Sequence, residues 1–88
     1  MAWTIDYSRT AWQQLKKLDR QAARRILDFV DTRLAPRDNP RDLGKALSGP
    51  LGTFWSYRLG DLRLICAIQD ADRRILVLRL GKRDEVYR

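Results

Sequence analysis

The chain has 88 residues, 44% of them hydrophobic, and 18 Lys+Arg against 11 Asp+Glu leave a formal charge of +7. That length allows a single domain (1–88) with a small core, and the apolar content is too high for a disordered chain. With no His and one Cys, Cys66, a histidine base, a Ser-His-Asp triad, a histidine or Cys-pair metal site and an internal disulfide are excluded.

Residues 2–7 (AWTIDY) alternate loosely and predict a short strand with Trp3 and Ile5 on one face. Ser8 is placed to cap a helix whose Ala11, Trp12, Leu15 and Leu18 form one apolar stripe. Asp19 caps a second helix that carries Ala22, Ala23, Ile26, Leu27, Val30 and Leu34 on one side and mainly charges on the other. Two amphipathic helices with almost no loop between them predict a helical hairpin, which Pro36 ends. The three tryptophans, Trp3, Trp12 and Trp55, read as packing residues.

Residues 35–52 hold all three prolines and three of the five glycines. So long a connection is expected to be locally ordered, with Leu43, Ala46 and Leu47 pinning it to the core through a short helical turn. Beyond it, Thr53–Leu59, Leu62–Gln69 and Arg74–Leu80 are rich in aromatic and branched residues and predict strands. Gly60-Asp61 supplies a two-residue hairpin turn, and Asp70-Ala71-Asp72 a looser one. The expected fold is α+β, in the order β-α-α-β-β-β, with the helical hairpin packed on one face of an antiparallel sheet.

Counting outward from Gly60-Asp61 pairs Leu59 with Leu62, Arg58 with Arg63, Tyr57 with Leu64, Ser56 with Ile65 and Trp55 with Cys66. Alternation then seats Trp55, Tyr57, Leu64 and Cys66 under the helices and turns Phe54, Ser56, Arg58, Arg63 and Ile65 to the open face. On the last strand the same counting sends Leu76, Leu78 and Leu80 to the helices, and Ile75, Val77 and Arg79 to the open face. Arg83 follows in phase, with Lys82 and Tyr87 nearby. Like charges directly opposed on a sheet repel, so Arg58 facing Arg63 implies either solvated side chains or an anion between them. Fourteen of the 18 cations are Arg, whose planar fork matches phosphate. A GC-rich genome produces the same ratio, so the positions of the arginines decide.

The stretches WSYRLGDLRLIC (55–66), LGKRDEVYR (80–88) and SGPLGTFW (48–55) resemble the RelE/ParE toxin superfamily, and within it the RelE branch of type II toxin–antitoxin systems. The order of elements and the length also match, so the resemblance spans nearly the whole chain. It implies a ribosome-dependent mRNA endonuclease that works in the A site without metal or other cofactor, while the single Cys and the lack of a signal-like apolar run predict a cytoplasmic location. In that chemistry a ribose 2′-OH attacks the adjacent phosphate, which calls for cations on the phosphorane, a base and an acid.

By position, Arg63 and Arg83 match the family's phosphate-binding arginines, Tyr87 its terminal tyrosine, Arg58 a strand-borne cation and Lys82 a site of His or Lys. Lys82 or Tyr87 is the expected base, and Arg79, Ser56 and Lys45 are candidate RNA contacts. Ser56 stands where Lys or Arg is frequent and Leu62 where Tyr is frequent. The resemblance implies a cognate antitoxin, mRNA and the ribosome as partners, and the lack of any 18-residue apolar stretch predicts no membrane span. Alternatives are a ParE-like inhibitor of DNA gyrase without nuclease activity, or a non-catalytic RNA-binding domain.

Overall fold

The computed structural model describes residues 2–47 and 54–86. The segment 48–53, which opens one of the family-like stretches, and Tyr87 and Arg88 lie outside the described residues. Strand β1 (Thr4–Tyr7) is followed by helices α1 (Arg9–Lys17) and α2 (Arg20–Phe29), then by strands β2 (Lys45–Leu47), β3 (Phe54–Leu59), β4 (Leu62–Gln69) and β5 (Arg74–Lys82), and by a short helix α3 (Arg83–Val86).

Both long helices start where the sequence places their caps. Ser8 Oγ accepts from the Ala11 N–H at 3.0 Å, and Asp19 Oδ2 from that of Ala22 at 3.2 Å. Helix α1 buries Ala11 and Leu15, while α2 buries Ala22, Ile26 and Phe29 and runs on through a widened turn at Val30–Leu34. Trp12 departs from the expected packing role. One position round from Ala11, it falls on the flank of the buried stripe, is 49% exposed and leans on Tyr7 with ring centres 6.4 Å apart.

The strands form one sheet in the order β1-β5-β4-β3-β2, with α1 lying against β5. Two features correct the expected antiparallel sheet of four strands. First, β1 pairs with β5 in parallel, since the whole domain separates them and no hairpin imposes opposed directions. Second, part of the long connection adds a strand. After a tight turn at Pro40–Leu43, Lys45–Leu47 pairs antiparallel with Ser56, Trp55 and Phe54.

The β3–β4 register is the one counted from the turn, including Arg58 opposite Arg63. The β4–β5 ladder has one irregularity. Ile65 pairs with Arg79 but Cys66 with Val77, which leaves Leu78 as an extra residue. This bulge overturns the simple alternation on β5: Ile75 and Val77 are fully buried in the core with Leu80, whereas Leu76 and Leu78 are only partly buried. Helix α1 satisfies the backbone around the bulge. Gln14 Oε1 accepts from the Leu80 N–H at 2.9 Å, Ser8 Oγ donates to the Leu78 carbonyl at 2.8 Å, and the Ser8 N–H donates to the Val77 carbonyl at 2.8 Å.

Candidate functional site

The face of the sheet opposite the core is organised in cross-strand rows. One row runs Lys45, Ser56, Ile65, Arg79 across β2 to β5. Two residues along the strands, about 7 Å away, the next row brings Arg58, Arg63 and Gly81 side by side. Lys45, Ser56, Arg58 and Arg63 together line a cleft of ≈ 440 Å³. Four of the residues singled out from the sequence thus share one recess.

The second wall of that recess is the 40–47 segment, and the core holds it in place. The buried Tyr57 hydroxyl donates to the Pro40 carbonyl at 2.9 Å. Gly44 passes so close that a Cβ there would lie 2.8 Å from both Tyr57 Cε1 and the Ser56 carbonyl oxygen. Arg41 completes the attachment, with Nη1 and Nη2 on the two Asp70 oxygens at 3.1 and 2.6 Å and its guanidinium 5.8 Å from the Trp55 ring centre. These links draw Asp70 below the ordinary carboxylate range, chiefly through the Arg41 hydrogen bond, and burial pushes the Tyr57 hydroxyl up. The sequence showed Tyr57 as inward-facing but held no signal that its hydroxyl anchors a loop seventeen positions away.

The two facing arginines are not equivalent. Arg58 is exposed, while Arg63 is only 8% exposed. Arg63 Nη1 donates to the Gly60 carbonyl at 2.6 Å and to that of Leu62 at 2.9 Å. Arg63 therefore clasps its own hairpin turn and presents a fixed positive charge in the cleft. Gly60 allows this turn, with φ +60, and Arg25 Nη2 holds it from the helix side through the Leu59 carbonyl at 3.2 Å.

The remaining candidates are dispersed. Arg79 is exposed in the neighbouring row, and Arg83 opens α3, its N–H donating to the Asp61 carbonyl at 2.9 Å. The expected convergence of four arginines is thus a close pair with two more beyond it. Lys82 pairs with the buried Leu62 and lines a separate recess with Asp19, Arg25 and Asp61, among residues of the helix side. It does not join the arginine cleft. Cys66 is buried among apolar side chains, where desolvation pushes its thiol up to about 12. Among the described residues no three His, Cys, Asp or Glu side chains gather into a metal-ligand set, and no helix is long and apolar enough to cross a membrane.

Comparison with known proteins gives this arrangement a family. Residues 5–87 match the model of the ParE toxin of type II toxin–antitoxin systems, parDE. The chain belongs to the RelE/ParE family of type II toxins. Toxin RelE of Mycobacterium tuberculosis is 34% identical over 79 residues, covering 90% of this chain and 79% of that protein. Toxin RelG of the same organism is 30% identical over 88 residues, covering 100% and 99%. Among solved structures, the toxin–antitoxin complex RelBE2 of M. tuberculosis contains a chain that superposes with a TM-score of 0.85 at 28% identity, over 94% of this chain and 100% of that one. This RelE-family toxin thus shares its overall fold with the toxin chain of that complex.

Proposed function

We propose that this RelE-family toxin is a ribosome-dependent endoribonuclease that cuts mRNA in the A site, and that a cognate antitoxin restrains it in the cytoplasm. The observation that carries the reading is the basic recess on the open sheet face, where Arg58 and Arg63 sit opposite each other with Lys45 and Ser56 alongside. Arginine stays protonated at any working pH, so this pair stabilises negative charge and takes no proton.

That property suits transesterification at a phosphodiester. The ribose 2′-oxygen attacks phosphorus as its proton leaves to a base, the phosphorane gathers charge, and the bond to the 5′-oxygen breaks as that oxygen is protonated. A 2′,3′-cyclic phosphate and a free 5′-hydroxyl result. Arg63 acts as a fixed charge from beneath, Arg58 from the solvent side and Arg83 from the start of α3, while Lys45, Ser56 and Arg79 guide the strand. Tyr87, matched by resemblance to the family's terminal tyrosine, is assigned to orient or deprotonate the 2′-hydroxyl. Lys82 is left out because it lines the other side of the sheet.

The test is cleavage on programmed ribosomes by the purified chain. Cuts at the A-site codon are expected, with Arg58→Ala or Tyr87→Ala slowing them by about 100-fold. Intact mRNA alongside an active control nuclease overturns the reading. The antitoxin is supported by the RelBE2 relative, which was solved as a toxin–antitoxin complex, and by the charge of +7, which an acidic partner would neutralise. Co-purification with the product of an adjacent small reading frame tests it.

The family model's description favours a second reading, since it is that of the ParE toxin. A gyrase inhibitor would block supercoiling in vitro and would stay toxic with Tyr87→Ala.

A further inference from the structure

Next to the basic recess the open face changes character. Beyond the Lys45–Ser56–Ile65–Arg79 row lie Leu47 and Phe54, paired across β2 and β3. Together with Ile65, Leu78 and Arg79 they line a second hollow of ≈ 380 Å³ that reaches the start of α1. Leu47 lines both hollows, so the two adjoin. Ile65 is nearly buried and forms the floor, while Leu47, Phe54 and Leu78 are partly exposed walls.

The bulge creates this site. In a regular ladder adjacent residues of β5 point to opposite faces, but the extra residue brings Leu78 and Arg79 to line the same hollow. An apolar wall thereby stands beside a guanidinium. On the opposite edge of the same row, three strands away and about 14 Å across, lies Lys45.

We propose that this shelf is a nucleobase subsite, in which one unstacked base of a single-stranded RNA lies over Ile65 against the Phe54 ring while Lys45 and Arg79 take the flanking phosphates. The inference rests on the RNA reading given above and adds to it where a base neighbouring the cut is held. Charge complementarity selects the occupant. A shelf that is apolar in its floor and walls but bounded by cations on two edges fits a ligand that alternates flat apolar faces with anionic links, as single-stranded nucleic acid does. Because stacking ignores base identity, such a subsite contributes affinity and register more than sequence preference.

The experiment compares the binding of a short labelled single-stranded RNA with that of its abasic counterpart, using the full chain at fixed salt and no ribosomes. The wild-type chain is expected to prefer the base-containing RNA by about tenfold. Phe54→Ala is expected to erase that preference while leaving abasic RNA binding unchanged, and Phe54→Trp to retain it. Leu78→Ala, on the opposite wall, should reproduce the loss if Phe54→Ala melts early. Equal binding of the two RNAs by the wild-type chain, or a preference that survives both alanine variants, overturns the proposal. So does an intact RNA preference combined with weakened capture of the co-purified antitoxin, which would make the shelf a protein-docking face. Failure of ribosomal cleavage sinks the endonuclease reading and leaves this equilibrium comparison standing, whereas cleavage without base preference sinks only the shelf.

Discussion

Arg58 and Arg63 are direct cross-strand partners, yet Arg63 turns its Nη1 onto the carbonyls of Gly60 and Leu62 while Arg58 stays exposed. Two carbonyl dipoles offset the buried charge, so the repulsion expected of a facing like-charged pair is relieved by dividing the work. One arginine belongs to the hairpin and the other to the solvent side of the cleft.

This division predicts different outcomes for the two alanine variants. Arg63→Ala removes the hydrogen bonds to the Gly60 and Leu62 carbonyls and is expected to destabilise the fold by about 1–3 kcal/mol. Arg58→Ala should change stability by no more than about 0.5 kcal/mol while weakening RNA binding. Urea denaturation of both variants, alongside RNA titrations, checks the contrast. Equal stability losses would refute the clasp.

The wall of the cleft depends on Tyr57. Replacing it with Phe removes the donor to the Pro40 carbonyl and is expected to cost about 1 kcal/mol. Gly44→Ala is expected to cost more, about 1–3 kcal/mol, because the added methyl meets the backbone oxygen of Ser56 and the buried ring of Tyr57, neither of which yields easily. Thermal melts of the two variants measure both effects. A Gly44→Ala protein as stable as the parent would mean that the 40–47 segment is not held as described.

Tyr7 offers a change in the opposite direction. Its hydroxyl is buried with no hydrogen-bond partner, and burial, followed by the field of Asp31, pushes it up to about 12. Tyr7→Phe removes an unpaired polar atom and keeps the ring against Trp12. A gain of up to about 1 kcal/mol is expected in chemical denaturation, and a marked loss would reveal a partner for that oxygen.

The Arg41–Asp70 pair predicts a pH signature. Asp70 is held below the ordinary carboxylate value of about 3.9. A depressed carboxylate contributes stability that is fully present above the unfolded value and is lost as pH falls through the folded one. The stability difference between the parent and Asp70→Asn should therefore vanish on acidification below the usual carboxylate range. NMR titration of the Asp70 carboxyl should give a low midpoint that returns toward 3.9 in Arg41→Ala. An unchanged midpoint would show that the pair does not persist in solution.

Much of this architecture was legible because local signals and global fold agree. Ser8 and Asp19 sit where helix caps belong, and Gly60-Asp61 defines a hairpin whose register follows by counting in twos. The facing arginines could be named from that count alone. Strand β2 was not legible as a strand. Lys45–Leu47 is three residues long, and its pairing rests on Gly44 lying against Tyr57, a contact with no local periodicity. Trp12 was misplaced for a related reason, since a stripe of apolar positions does not say where a neighbouring edge strand stops covering it.

The sequence by itself determined the class of this protein: a small basic α+β domain without histidine chemistry, carrying family-like motifs and an arginine pair set opposite by a two-residue turn. Tertiary structure alone decided which cations share a recess. A bulge at Leu78 is invisible to alternation because its backbone groups are satisfied from α1, by Ser8 and Gln14, far away in the chain. That one extra residue sends Ile75 and Val77 into the core and brings Leu78 beside Arg79 on the hollow they line. Tyr57 is a second such case, its hydroxyl reaching the Pro40 carbonyl seventeen positions away. A side chain's face can be counted from sequence, but what lies within hydrogen-bonding reach is set by elements distant in the chain.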